Sequence, residues 1–441
     1  MIRSIAGRVL AEPRPGLSAS ANPIFKYDFV IVGGGAGGLE LAARLGRRLG
    51  PRNGPSRILL VDRNISHLWK PSLHEVASGT LDASQESISY PLLARRNHFS
   101  FALGRFTGLD AERRCISLSS SLDCDSFIER EVCYGQLVLA MGSGSNFFKT
   151  PGAQGYAHVL EDAEDARQFH ARLTHLFLSA AYEGRTKVSV AIVGAGATGT
   201  ELAAEIITGH TELVRGLQPP NSFELQVTLI EAGKRILDGL PEPIAANVMR
   251  ELCRRAVVVK TDTRVEAVTA EGLQTTAGWI EADAVVWAAG VLASADNLEL
   301  GLETGKQNQI LVDDQLRTSD PHIRAMGDCS RLKVSPIPPT AQAAAQQARY
   351  LADSLLTPQD DEPFQFRNRG ALVSLGQSGA VGTLMGGVLG RGLFIEGLMA
   401  RMVYAGIRFD HYRAVVGLRR TLLMSLARRL SKRAAGQLKL H

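Results

Sequence analysis

Two apolar runs end in glycine-rich turns: YDFVIVGGGAGG, starting at Tyr27, and VSVAIVGAGATG, starting at Val188. Each pattern predicts a buried strand, a tight turn and a helix. Each is followed by another apolar strand that ends in an acid, ILLVD at Asp62 and VTLIE at Glu231. The second gap between turn and acid is the longer, and the excess is assigned to an insertion around 216–223 that carries Pro219 and Pro220. QLVLAMGSGS and DAVVWAAGVL read as buried strands running into Gly142 and Gly290, and IRAMGDCS as a strand ending at Gly327-Asp328. The segment from Gly370 to Gly390 has no charge, but seven of its residues are glycine and polar residues interrupt the rest. It predicts two short strands around a turn at Gln377 to Gly379, not a membrane span. Two apolar stripes at helical spacing follow, Leu398, Met399, Met402, Val403 and Ile407, then Val415, Leu418, Leu422, Leu426 and Leu430.

The glycines have a chemical reading. The first of each set, Gly33 and Gly194, permits the tight turn; the second, Gly35 and Gly196, lets backbone approach a pyrophosphate; the third, Gly38 and Gly199, lets the helix pack on the strand. The helix N-terminus adds free N–H groups and a positive dipole end, and the acid takes ribose hydroxyls. Two such units in one chain imply two dinucleotides, the layout of a flavoenzyme that also binds a nicotinamide. The expected fold is α/β, with two Rossmann-like dinucleotide-binding domains and a C-terminal amphipathic region that associates with a membrane. The expected divisions are a disordered basic leader (1–26), a discontinuous FAD domain (27–155 and 299–362), an NADH domain (156–298) and a C-terminal hairpin with amphipathic helices (363–441).

Charge and cysteine content refine this picture. The net charge is +5, but residues 391–441 alone carry +9, so the remainder is slightly acidic. A basic tail suits nucleic acid or anionic lipid; leucine and methionine stripes among the charges favour an anionic membrane surface, so no nucleic acid is expected. Cys115, Cys124, Cys133, Cys253 and Cys329 form no CxxC pair. No metal site and no redox-active disulfide are therefore expected, and the cysteines are expected to be reduced.

Several segments together resemble the bacterial type II NADH dehydrogenases, single-subunit NADH:quinone oxidoreductases that pump no protons. They are VDRNISHLWKPSLHEVASGTLD, GGGAGGLELAARLG, GAGATGTELAAE, AMGDCS followed by PPTAQAAAQQA, and the closing QLKLH. Ser72 departs from the family pattern, which has leucine there. The resemblance implies hydride transfer from NADH to a non-covalent FAD and passage of two electrons to a membrane quinone. It implies that Gly33, Gly35, Gly38, Asp62, Lys70, Pro71 and Asp328 hold FAD, and that Gly194, Gly196, Gly199, Glu201 and Glu231 hold NADH. Glu201, Gln342, Gln346 and Lys70 are the candidate catalytic residues. Glu201 sits on the first turn of the second helix, where it reaches toward the nicotinamide or caps the helix. Gln342 and Gln346 share one helix face and offer amide donors to a quinone carbonyl. The expected location is peripheral, on the cytoplasmic face of the bacterial inner membrane, with a homodimer left open. The alternatives are a sulfide:quinone oxidoreductase, which needs a cysteine pair at the flavin, and a membrane-docked redox-sensing flavoprotein.

Overall fold

The computed structural model describes residues 25–119, 130–217, 223–357, 362–376, 379–384 and 393–434. The proposed insertion's prolines, the hairpin turn at Gln377 and Ser378, the closing QLKLH and most of the leader lie outside them. Phe25 and Lys26, assigned above to the leader, instead begin the first strand, Phe25–Val32, because they continue its pairing with Val132 and Cys133.

Two parallel sheets organise the molecule. The first has the order Ser100–Leu103, Ile58–Asp62, Phe25–Val32, Arg130–Leu139, then the antiparallel Cys115–Ser119 and Arg105–Asp110. Ile323–Ala325, nearly two hundred residues later in sequence, also pairs in parallel with Arg130–Leu139. The second sheet is wholly parallel, in the order Ala157–His158, Ala284–Trp287, Lys187–Val193, Glu224–Ile230, Val258–Lys260. Parallel sheets bury both faces. This explains why residues 188–193 are all buried apolar or small residues, covered by helices Ala163–Glu183 and Ala197–Leu217. Asp162 starts the first of these helices with a reciprocal capping box to Asp165, and Gly184 ends it in a left-handed conformation.

The chain leaves the first sheet at Gly144–Ser145 and returns at Val291–Leu292, and these two crossings pair with each other as an antiparallel ribbon. The second sheet is therefore inserted in the chain of the first. At the return, Gly290 has φ +73° and lies against the Phe148 ring, so a side chain there would be both strained and blocked.

Gly370–Ser374 and Ala380–Leu384 form the expected hairpin, and a third strand that the pattern did not suggest, Leu393–Glu396, joins it. Helices Gly397–Val416 and Leu418–Ala434 follow. Gly417, at φ +80°, separates them. That break corrects the second stripe: Val415 lies on the earlier helix and is fully buried, whereas Leu418, Leu422, Leu426 and Leu430 are exposed together with Leu423. In the first stripe Leu398, Met399, Met402 and Ile407 are exposed and Val403 is half-buried. Among the described residues no helix is long and apolar enough to cross a membrane.

The cysteine expectation fails at one pair. Antiparallel register sets Cys115 opposite Cys133, with Cα atoms 3.9 Å apart, and their sulfurs are bonded. The pairing comes from strand register across 18 residues, which no short motif reveals.

Candidate functional site

The two turns are built alike. In the first, a Cβ on Gly33 would overlap the Ala140 carbonyl, and one on Gly38 would overlap the Gly33 carbonyl. In the second, Gly194 is crowded by the Ala288–Ala289 backbone and Gly199 by the Gly194 carbonyl. The middle glycines differ: a Cβ on Gly35 or Gly196 would meet no protein atom within 4 Å. No protein contact excludes a side chain at either position, which leaves room for a ligand against the backbone there. The residues thus fit a dinucleotide pyrophosphate at both turns.

The acids close both turns in the same way. Asp62 Oδ2 accepts a 2.6 Å hydrogen bond from the Gly34 N–H, and its Oδ1 accepts one from Asn64. Glu231 Oε2 accepts from the Ala195 N–H at 2.8 Å, and its Oε1 from Gly233. Burial raises the Asp62 carboxyl, and the backbone donors partly offset this.

Three distant pieces of chain meet beside the first turn. Lys70, exposed, donates from Nζ to the Ser143 carbonyl at 3.1 Å, and Ser143 Oγ donates to Asp328 Oδ2 at 3.2 Å. Pro71 lies next to Lys70 in the 3-10 turn Lys70–Ser72, and its carbonyl accepts from Tyr404 on the C-terminal helix. Ser72 is buried, its hydroxyl donating to the Trp69 carbonyl at 2.7 Å. A neighbour of the predicted glutamines, Gln347, accepts from the Gly327 N–H and so fixes the Gly-Asp turn.

Gln342 and Gln346 share one face of helix Ala341–Ser354, as expected, but their amides are already engaged. Gln342 donates to the Gly370 carbonyl and accepts from Arg369 N–H; Gln346 does the same with the carbonyl and N–H of Arg367. They clamp the strap that leads into the hairpin.

Glu201 sits at a junction of three segments. Its carboxyl is buried, Oε1 accepts from the Ser374 N–H of the hairpin at 2.9 Å, and Oε2 lies 3.3 Å from His74 Nδ1. The helix-cap role offered by the sequence does not apply, because its partners come from other elements. Burial pushes Glu201 up to about 8, and burial pushes His74 down to about 4, despite the opposing pull of Glu75. Both directions favour the uncharged forms over an ion pair. On the next turn Glu205 accepts from Thr80 at 3.0 Å.

Sequence reasoning missed His67, His74, Glu205, His411 and Arg408. His67 and His74 stand in the quoted HLWKPSLHEVASG segment, whose two histidines were the available signal. His411 and Arg408 become buried only by packing of the C-terminal helix, which sequence spacing does not report. Arg408 lies over the Trp69 ring at 5.2 Å and is 3.7 Å from Glu75, with two of its buried nitrogens unpartnered.

The model of the pyridine nucleotide-disulphide oxidoreductase family matches residues 27–348. A type II NADH:quinone oxidoreductase of Haemophilus influenzae is 37% identical over 94% of this chain and 100% of its own length. The chain belongs to the type II NADH:quinone oxidoreductases. It is an FAD-dependent enzyme that uses NADH. An NDH2 from Plasmodium falciparum, solved with NADH, has a TM-score of 0.78 at 16% identity, covering 94% of this chain and 99% of its own. The sulfide:quinone oxidoreductase of Aquifex aeolicus also shares the fold, with a TM-score of 0.71 at 15% identity over 93% of this chain and 95% of its own. Here the only described free cysteines are Cys253, exposed, and Cys329, buried, and the second glycine turn is complete.

The open cradles predict a selective defect. Gly35→Ala should leave the melting temperature of the FAD-free protein unchanged yet retain less FAD, and Gly196→Ala should raise the KM for NADH while FAD stays bound. Wild-type FAD content and KM in these variants would remove the ligand explanation for the two glycines.

The buried neutral histidines predict acid lability. His67 and His74 are each pushed down to about 4, so folding gains nothing from them above their ordinary value near 6.5. As pH falls from there toward 4, the unfolded chain takes up protons that the folded chain refuses, at a cost on the order of 3 kcal/mol per histidine. Glu201, raised to about 8, acts in the opposite sense, since the folded chain keeps a proton there that the unfolded chain has lost between pH 5 and 7, so the histidine contribution is read as a difference between variants. By chemical denaturation, His74→Gln should lose less stability than the wild type on going from pH 7 to pH 5. An equal change in variant and wild type would contradict the burial argument.

Proposed function

We propose that this NADH:quinone oxidoreductase works through the following residues. Gly33, Gly35, Gly38 and Asp62 hold the adenosine diphosphate half of FAD, with Lys70, Pro71 and Asp328 along the rest of it. Gly194, Gly196, Gly199 and Glu231 hold NADH. Residues 27–155 and 299–362 then serve as the flavin domain and 156–298 as the nicotinamide domain. The observation that carries the reading is the paired cradle: two turns with the same crowded outer glycines, the same open middle glycine and the same acid on the turn N–H.

Bound FAD supplies the two-electron step between nicotinamide and quinone. The chain's own part is placement and protonation. Glu231 accepts from ribose hydroxyls and repels a 2′-phosphate, which favours NADH over NADPH. Glu201, favoured in its protonated form by burial, turns its carboxyl toward the nicotinamide carboxamide, and His74, 3.3 Å from Oε2, holds that carboxyl in place. Gln342 and Gln346 donate to a quinone carbonyl once the 367–370 strap yields its hydrogen bonds to them. Lys70, beside Ser143, places a positive charge near the ring.

We further propose a peripheral seat on an anionic membrane, at the cytoplasmic face of a bacterial inner membrane, through residues Leu398 to Leu430. Leu422, Leu423, Leu426 and Leu430 are each more than half exposed, on a helix rich in arginine. Nucleic acid is not expected as a partner, and a homodimer through this face remains the competing use of it.

Stopped-flow kinetics separate the two half-reactions. Glu201→Ala should slow FAD reduction by NADH about tenfold or more, with FAD content normal, as expected for a lost charge-assisted or buried hydrogen bond. Wild-type activity should fall as pH rises through about 8, and Glu201→Gln should keep most of the rate and lose that fall. Gln342→Ala should spare reduction by NADH and slow reoxidation by quinone. Equal damage to both half-reactions in every variant would overturn these roles.

The membrane reading needs a test that spares the core, because Tyr412, Val415 and Val416 belong to the first domain's core and deletion from 391 would remove them. Leu422→Glu with Leu426→Glu should weaken binding to anionic liposomes at least about tenfold, since each change removes apolar area and adds repulsion. Ferricyanide reduction should persist. Unchanged liposome binding would assign the face to another use.

A further inference from the structure

The C-terminal helix touches the first glycine turn through two imidazoles. The Gly34 carbonyl accepts from the Tyr90 hydroxyl at 2.7 Å and faces His67 Nδ1 at 3.0 Å. A carbonyl has no proton to give, so His67 Nδ1 carries the hydrogen. His67 is fully buried, which keeps the ring neutral and leaves its Nε2 bare. That nitrogen lies 2.9 Å from Nε2 of His411, on helix Gly397–Val416. Two bare nitrogens at this distance would repel, so His411 Nε2 carries a hydrogen and donates it. Burial, His67 and Arg408 oppose a charge on His411, and Asp410 alone favours one, so His411 is neutral with Nδ1 bare. Trp69 covers one side of its ring and Tyr412 packs against it.

We propose that His411 is a positioning residue for FAD: it fixes the His67 tautomer, and the two hydrogen bonds on the Gly34 carbonyl hold the peptide that presents the Gly35 N–H to the pyrophosphate. A trans peptide points its C=O and N–H in opposite directions. With the carbonyl of the Gly34–Gly35 peptide held inward by Tyr90 and His67, the Gly35 N–H turns outward to the exposed side, where Gly35 offers no Cβ. Without the His411 donor, a buried His67 Nε2 has no partner. Protonating that nitrogen from within satisfies nothing, and shifting the ring hydrogen to it surrenders the bond to Gly34. The helix that carries the exposed apolar stripe is thereby part of the flavin site. The inference rests on the first turn holding FAD.

The test uses the purified holoenzyme, with FAD dissociation followed by the fluorescence of released flavin. His411→Leu should raise the FAD dissociation constant about tenfold, the cost of one buried hydrogen bond. His411→Gln, whose amide can still donate to His67, should stay within about threefold of wild type. In wild-type protein labelled with 15N-histidine, NMR should show one ring protonated at Nδ1 (His67, lost in His67→Gln) hydrogen-bonded to one protonated at Nε2. If His411→Leu binds FAD as tightly as wild type, or if His67 is protonated at Nε2, the proposal is overturned. Should His411→Leu fail to fold, His411→Gln and the wild-type spectrum still decide. Gly35→Ala separates the underlying reading: retained FAD in that variant refutes the flavin turn, whereas lost FAD with a tight-binding His411→Leu refutes only the histidine relay.

Discussion

The structure depends on backbone approaching backbone at two turns more closely than any Cβ allows. At Gly38 and Gly199 the following helix lies directly against the carbonyl of the turn's first glycine, which brings each helix N-terminus to the C-terminal edge of its sheet. That contact aims the free N–H groups at one place, and the acid of the neighbouring strand reaches the same place. A side chain at either third glycine would push the helix off the strand and scatter these groups.

The two turns become one enzyme through what lies between them. The ribbon of Gly144–Ser145 with Val291–Leu292 carries the chain across twice, and Ser143, at its edge, bridges Lys70 and Asp328. On the other side, Glu201 from the second turn's helix contacts His74 from the first half and the hairpin backbone at Ser374. Arg428 on the last helix pairs with Glu75, the residue next to His74. The exposed apolar helices and the second turn's helix are thus joined through one short buried segment, Leu73–Ala77.

The strands, turns and acids of both units were legible in the sequence because local pattern dictates them: an apolar run, glycines at fixed offsets, an acid one strand later. The hairpin was legible from its glycine content, and the exposed stripes from helical spacing. What stayed hidden depends on contacts between distant segments. Glu201 could be singled out, but its burial against His74 and Ser374 could not. Gln342 and Gln346 could be placed on one face, but not their grip on residues 367–370. The Cys115–Cys133 bond follows from antiparallel register, and the burial of Val415 from the break at Gly417. Both are consequences of three-dimensional packing.

The central claim is that one chain brings NADH, FAD and quinone into a single electron path. The most direct measurement is the visible absorption of the FAD-loaded protein without oxygen, first on adding NADH and then on adding a quinone. The account predicts that one NADH per FAD bleaches the flavin band and that quinone restores it in full. A flavin band that NADH leaves unchanged, or that quinone fails to restore, would contradict it.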